Sequence, residues 1–140
     1  PTCRRRFDKE GKSVNTHGEY PDAIRWVAQK ENVPLIELNG MTTMLCDALG
    51  VDGSMKLYVH YPAGTFPGQT REFKDNSHFS TYGAYETAKC VVEGMKKAKL
   101  DIVNYLRADY KGFNPAQPDK FETFKWNLCP FTEIEKPDGN

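Results

Sequence analysis

An α/β fold is predicted by three features of the sequence. Apolar residues recur at helical spacing over 21–31. The short apolar run Val33-Pro34-Leu35-Ile36-Glu37-Leu38 follows at once, and a second helical pattern follows that. Helix–strand–helix order of this kind feeds a parallel sheet covered by helices. Such sheets usually hold about five or six strands. The sequence offers 33–38 and one further candidate, so it predicts part of a larger α/β assembly.

The elements follow in chain order. Residues 3–19 carry a basic run, then Gly and Asn, and read as a loop or short hairpin. Pro21 suits a first helical position, Ile24, Val27 and Ala28 form an i, i+3, i+4 face, and Asn32 is a helix stop. The run 33–38, apolar on both faces and opened by Pro34, reads as a buried parallel strand. Asn39-Gly40 reads as a turn. Met41, Met44, Leu45, Ala48 and Leu49 mark a second helix ending at Gly50. Residues 55–61 are the second candidate strand, and 62–74, with Pro62, Gly64, Pro67 and Gly68, read as a loop. Ser80 caps a third helix whose face is predicted to be Ala84, Ala88, Val91, Val92 and Met95. From 107 the character changes. Pro115, Pro118, Pro130 and Pro137 forbid long regular elements, while Phe113, Phe121, Phe124, Trp126 and Phe131 are too many aromatics for a disordered linker. The predicted organisation is therefore 1–106 as part of an α/β domain and 107–140 as an irregular extension packing its aromatics onto something.

Charge and composition exclude several functions. Lys plus Arg is 19 and Asp plus Glu is 19, without the basic excess of a nucleic-acid binder. No apolar run approaches the ~18–20 residues that span a bilayer. The chain opens Pro1-Thr2-Cys3-Arg4 without Met or a signal-type stretch, which leads to the expectation that it continues a longer polypeptide. Cys3, Cys46, Cys90 and Cys129 lie about forty residues apart, a spacing that fits neither a zinc site nor a C-x-x-C redox motif. Cys46 and Cys90 fall in helical patterns and read as buried free thiols, with a disulfide as the alternative.

The chemistry-bearing residues are Asp75-Asn76-Ser77-His78-Phe79. A His that takes a proton from a hydroxyl must be neutral. A carboxylate on its Nδ1 side fixes the tautomer and stabilises the imidazolium that forms. An Asp three residues earlier can curl back to that nitrogen. The alternative is that the pair merely organises the chain before the third helix. His17 reads as a turn residue and His60 as a buried or edge-strand histidine. Arg4 and Arg5 read as solvated, with an anion or sugar contact beside the site as the alternative. No metal-ligand spacing and no Gly-rich phosphate loop occurs, so neither metal nor cofactor is expected.

Four blocks, taken together, resemble one family. They are Arg4-Arg5-Arg6-Phe7-Asp8 with Gly11-Lys12, Thr16-His17-Gly18-Glu19-Tyr20-Pro21, Val33 to Leu38, and Asp75-Asn76-Ser77-His78-Phe79 with Gly83-Ala84. Their order and spacing are similar to those of bacterial rhamnogalacturonan acetylesterases, members of the SGNH (GDSL-type) hydrolases, over about residues 1–100. The resemblance implies the C-terminal part of a three-layer α/β/α sandwich that acts on acetylated pectic polysaccharide. It implies a secreted or periplasmic location, with Asp75 and His78 as two members of a Ser-His-Asp set. The family's G-D-S and G-x-N-D blocks have no counterpart. Ser13, Ser54, Ser77 and Ser80 are the only serines, and none lies in a G-D-S context. The chain is therefore expected to lack nucleophile and oxyanion donors, and to self-associate or pair with a missing N-terminal half. The competing function is a non-catalytic carbohydrate-binding or interaction module using Tyr110 and Trp126.

Overall fold

A computed structural model describes residues 1–126. It is a small mixed α/β arrangement in the order α1 (Tyr20–Lys30), α2 (Leu38–Gly53), β1 (Tyr58–Tyr61), β2 (Phe73–Phe79) and α3 (Thr81–Lys97). Short 3-10 turns follow α2 at Ser54–Leu57, follow α3 at Asp101–Tyr105, and recur at Phe121–Thr123. The predicted Phe131, Pro130, Pro137 and Cys129 lie outside the described residues.

The sheet differs from the expectation. Its two strands, β1 and β2, are antiparallel rather than parallel. Residues 33–37 adopt no regular structure and pair with no strand among the described residues. Pro34 has no N–H to offer, the Val33 N–H returns to Ala28 O at 2.9 Å, and the Leu38 N–H bonds Ile36 O at 2.8 Å. A strand exists only through its ladder, and apolar character alone supplies none. β2 was missed because Phe73-Lys74-Asp75-Asn76-Ser77-His78-Phe79 is too polar to read as a strand.

Several local signals behave as the chemistry demands. Pro21 occupies the first turn of α1, and Asn32 ends it with a left-handed φ of 51°. The Asn39-Gly40 turn is instead the first turn of α2, which runs past Gly50 by adopting φ 68° there and resuming helix. The Ser80 hydroxyl accepts from the Gly83 N–H at 3.1 Å and caps α3. The basic N-terminal segment forms a minimal hairpin, with Phe7 bridged to Ser13.

The face of α3 is rotated from its predicted position. Ala84 and Ala88 are exposed, and the buried stripe is Tyr82, Gly83, Glu86, Thr87, Cys90 and Gly94. Small residues let neighbours approach closely. A Cβ at Gly83 would lie 1.8 Å from Leu57 O, and one at Gly94 would lie 2.3 Å from Ile36 Cγ2. The core comprises Cys3, Leu45, Cys46, Leu57, Tyr58, Tyr82 and Cys90. Its two large aromatics keep their hydroxyls bonded, Tyr58 to Cys3 O at 3.0 Å and Tyr82 to Asp119 O. By contrast α1 buries only Pro21 and leaves Ile24, Trp26 and Val27 exposed. It is tied down by Arg25, whose guanidinium meets Glu37 at 2.6 and 2.8 Å and Asp22 at 2.6 Å.

Described residues of the stretch 107–126 lie along α3. Phe121 and Phe124 set their rings 5.3 and 5.4 Å from Tyr82. Lys89 reaches Asp119 at 2.7 Å beneath the Phe113 ring, 4.1 Å from its centroid. Buried Glu86 accepts the Asp119 N–H at 3.2 Å through Oε2, and Oε1 faces Lys89 Nζ at 2.8 Å as an ion pair rather than an aligned hydrogen bond. Glu93 takes the Tyr110 hydroxyl at 2.9 Å and the Phe113 N–H at 3.0 Å.

Candidate functional site

The β1–β2 ladder creates the site by failing locally. Tyr58 pairs with Phe79 and His60 with Lys74. From 58 to 60 is two residue steps, while from 79 back to 74 is five, so three extra residues of β2 bulge out of the ladder. The bulge carries Asp75, Asn76, Ser77 and His78.

Asp75 folds the bulge around itself. Its Oδ1 accepts the N–H groups of Ser77 at 2.6 Å and His78 at 2.9 Å. Oδ2 lies 2.6 Å from His78 Nδ1. One carboxylate thus shapes the backbone and orients the ring. The backbone N–H of His78, then that of Ser77, then the His78 ring hold the Asp75 carboxyl down at about 2. The proton on Nδ1 is directed to the carboxylate, which leaves Nε2 with its lone pair outward. The His78 side chain is 80% exposed, so that nitrogen faces open solvent.

Arginines of the first segment brace the bulge. Arg4 is exposed and donates from Nε to Ser77 Oγ at 2.9 Å, beside His78. Arg5 turns inward. It donates to Ser54 Oγ at 3.0 Å, Asn76 Oδ1 at 3.3 Å and Val51 O, and its backbone N–H meets Asn76 O at 2.9 Å. His60 Nε2 lies 2.8 Å from the same Asn76 Oδ1. The structure therefore brings Asp75, His78, Arg4 and Arg5 together. It adds Asn76, His60 and Ser54, to which sequence reasoning gave no role at the site. For Asn76 the only signal was its place inside the Asp75–His78 block.

The remaining candidates lie elsewhere. His17 Nε2 is 2.8 Å from Thr2 O, in the hairpin region. Tyr110 is engaged by Glu93, and Trp126 stacks on Phe124 with centroids 6.4 Å apart. Ser54, Ser77 and Ser80 are committed to Arg5, Arg4 and the α3 cap. The largest groove, about 870 Å³, lies away from His78, against Arg25, Val33, Leu35, Met44, Gly94 and Lys97. Among the described residues no three His, Cys, Asp or Glu side chains converge to hold a metal ion. No helix of those residues is long and apolar enough to cross a membrane.

Comparison with known proteins adds one finding. No family model and no solved structure matches the chain. Over 103 residues, 74% of its length, it is 40% identical to the rhamnogalacturonan acetylesterase RhgT of Bacillus subtilis (strain 168). The matched stretch is 44% of that protein, so the chain spans less than half of the relative's length. The resemblance read from the motifs therefore stands: the chain is an RhgT-like sequence, similar to the C-terminal portion of a rhamnogalacturonan acetylesterase.

Proposed function

We propose that this chain supplies the general base and its orienting acid to an SGNH-type carbohydrate esterase that removes acetyl groups from rhamnogalacturonan. The observation that carries the reading is the contact of His78 Nδ1 with Asp75 Oδ2 at 2.6 Å, with Nε2 left open. A serine outside this sequence attacks the acetyl carbonyl while His78 Nε2 takes its proton. The imidazolium, held by Asp75, then protonates the departing sugar hydroxyl. Water, deprotonated by the same nitrogen, releases acetate and restores the serine. Backbone or side-chain donors from the same missing sequence hold the oxyanion. Arg4, exposed next to His78, is the residue placed to meet a carboxylate-bearing sugar. Arg5, whose guanidinium already donates to Ser54 Oγ, Asn76 Oδ1 and the Val51 carbonyl, acts as a positioning residue.

On this reading the chain is the C-terminal part of a three-layer α/β/α sandwich, and the protein works outside the cytoplasm. The unpaired run 33–37 would take its place as a strand in a sheet completed by the sequence that RhgT has and this chain lacks. The exposed groove at Val33, Leu35 and Met44 supports that docking. The test is complementation. The part of RhgT not matched by this chain is co-expressed with it, and release of acetate from acetylated rhamnogalacturonan is measured. Each part alone is expected to be inactive, the pair active, and the pair with His78→Ala at least ~10⁴-fold slower. A stable complex with activity unchanged by His78→Ala would overturn the catalytic assignment.

A further inference from the structure

Away from the Asp75–His78 site, two thiols and a phenol meet in the core. Cys3 Sγ lies 3.5 Å from Cys46 Sγ and 3.3 Å from Tyr58 Oη, and Cys46 Sγ lies 3.6 Å from that hydroxyl. Cys3 belongs to the N-terminal segment and Cys46 to α2, 43 positions apart. Their backbones are already fixed. The Cys3 N–H donates to Thr42 Oγ1 at 2.9 Å, four residues before Cys46 on the same helix, and the Tyr58 hydroxyl donates to Cys3 O at 3.0 Å. A disulfide needs the sulfurs at about 2.05 Å, so closure asks for a shift on the order of 1.5 Å.

We propose that Cys3 and Cys46 form a reversible disulfide that staples the arginine-bearing segment, and with it Arg4 and Arg5, to α2. Three further observations support the step. Hydrogen bonding by Cys46 holds the Cys3 thiol down at about 6 against the opposing effect of burial, and Cys3, not Cys46, lines a cavity, so Cys3 is the sulfur placed to react first. Cys46 is pushed strongly upward by its place beside the Cys3 thiolate, so it serves as the second, resolving thiol. A cavity of about 320 Å³ lined by Cys3, Arg4, Asn15, His17 and Thr43 gives a small oxidant access to Cys3. Cys90, fully buried and raised to about 12 chiefly by burial, is an inert contrast.

The oxidant is a small organic disulfide. The Cys3 thiolate attacks one of its sulfurs, forms a mixed disulfide and expels one thiolate. That thiolate takes up the proton that Cys46 gives up. The Cys46 thiolate then attacks Cys3 Sγ and expels the second thiolate, which is protonated by the solvent that received the Cys3 proton. Two protein thiols are oxidised by two electrons and one small disulfide is reduced to two small thiols.

The test equilibrates the full 140-residue chain with hydroxyethyl disulfide and 2-mercaptoethanol mixtures. Samples are quenched in acid, denatured, alkylated and mapped by mass spectrometry. A Cys3–Cys46 linked peptide 2 Da below the sum of its parts is expected, with a melting temperature raised on the order of 10 °C and restored by reductant. Cys3→Ser and Cys46→Ser should each abolish the link, and Cys90→Ala should keep it. The peptide map of the unsubstituted chain decides the matter even where a variant fails to fold. Full alkylation of Cys3 and Cys46 after exposure to the oxidised mixture alone, with native circular dichroism, would overturn the proposal. So would linkage of Cys3 to Cys129 instead.

Discussion

At Asp75 the backbone contributes more than the histidine does. Two N–H groups point at Oδ1 and a ring nitrogen at Oδ2, so protonation would break three contacts at once. The folded carboxyl is held at about 2, below the ordinary Asp value of ~3.9. The contribution of this group to stability is therefore complete above about pH 4 and is lost as pH falls toward 2. A carboxyl-resolved NMR titration is expected to place the Asp75 midpoint near 2, and a midpoint near 4 would show that the bulge does not hold in solution. In a complemented enzyme, Asp75→Asn keeps an acceptor for the backbone but removes the charge facing the imidazolium. Its kcat is expected to drop on the order of 10³–10⁴-fold, with the melting temperature lowered near neutral pH because the ionised carboxylate's contribution is lost. The pair itself was legible because Asp and His lie three apart in one short block. Its supports were not, because Arg5 and His60 reach Asn76 from 71 and 16 positions away.

The third helix shows how an element can be read correctly and its face misread. Its start was legible from Ser80, whose hydroxyl both caps Gly83 and donates to Lys56 O at 2.6 Å. Ser80→Ala should cost about 1 kcal/mol or somewhat more, readable as a lower denaturant midpoint at unchanged slope. The aliphatic periodicity of Ala84, Ala88, Val91, Val92 and Met95 is real, yet the described core packs the neighbouring stripe instead. Apart from Tyr82 and Cys90, that stripe is written in small and polar residues, which carry no hydrophobic signal in a sequence. Its two glycines give an ordered expectation. Alanine in mid-helix gains about 1 kcal/mol of propensity over glycine. At Gly83 the added carbon meets a carbonyl oxygen of Leu57, which cannot yield without moving the backbone, so Gly83→Ala should lower the melting temperature by ~10 °C or more. At Gly94 it meets Ile36 Cγ2 at 2.3 Å, with Cβ 3.2 Å away, on a β-branched side chain that is stiff at χ1. Segment 33–37, which pairs with no strand among the described residues, must then shift, so Gly94→Ala should also lower the melting temperature, though by less than Gly83→Ala. Equal melting temperatures for the two variants would contradict this packing.

Across the whole molecule, apolar surface and apolar sequence do not match. The sequence shows a helix face at Ile24 and Val27 and a two-sided strand at 33–38, while the described core holds neither. Ile24, Trp26, Val27, Val33 and Met44 are between 42% and 60% exposed, and Val33 and Met44 line the large groove. Local patterning was legible because it is written residue by residue. No strand forms at 33–37 because no described segment supplies a ladder for it, and pairing cannot be read from one segment. Among the described residues, a two-stranded sheet and seven core side chains make a modest interior. Exposed apolar patches of this kind act as association surfaces, and segment 33–37, which pairs with no strand among the described residues, lies beside them. The chain by itself is therefore expected to self-associate reversibly. Sedimentation velocity across a tenfold concentration range should show a rising weight-average coefficient, and Val33→Lys combined with Met44→Glu should flatten that rise. Added RhgT sequence of the kind this chain lacks should compete with self-association, since both would occupy the same groove. A single monomer species at every concentration, with a cooperative melt at high temperature, would show that these faces need no cover and that the chain is stable as it stands.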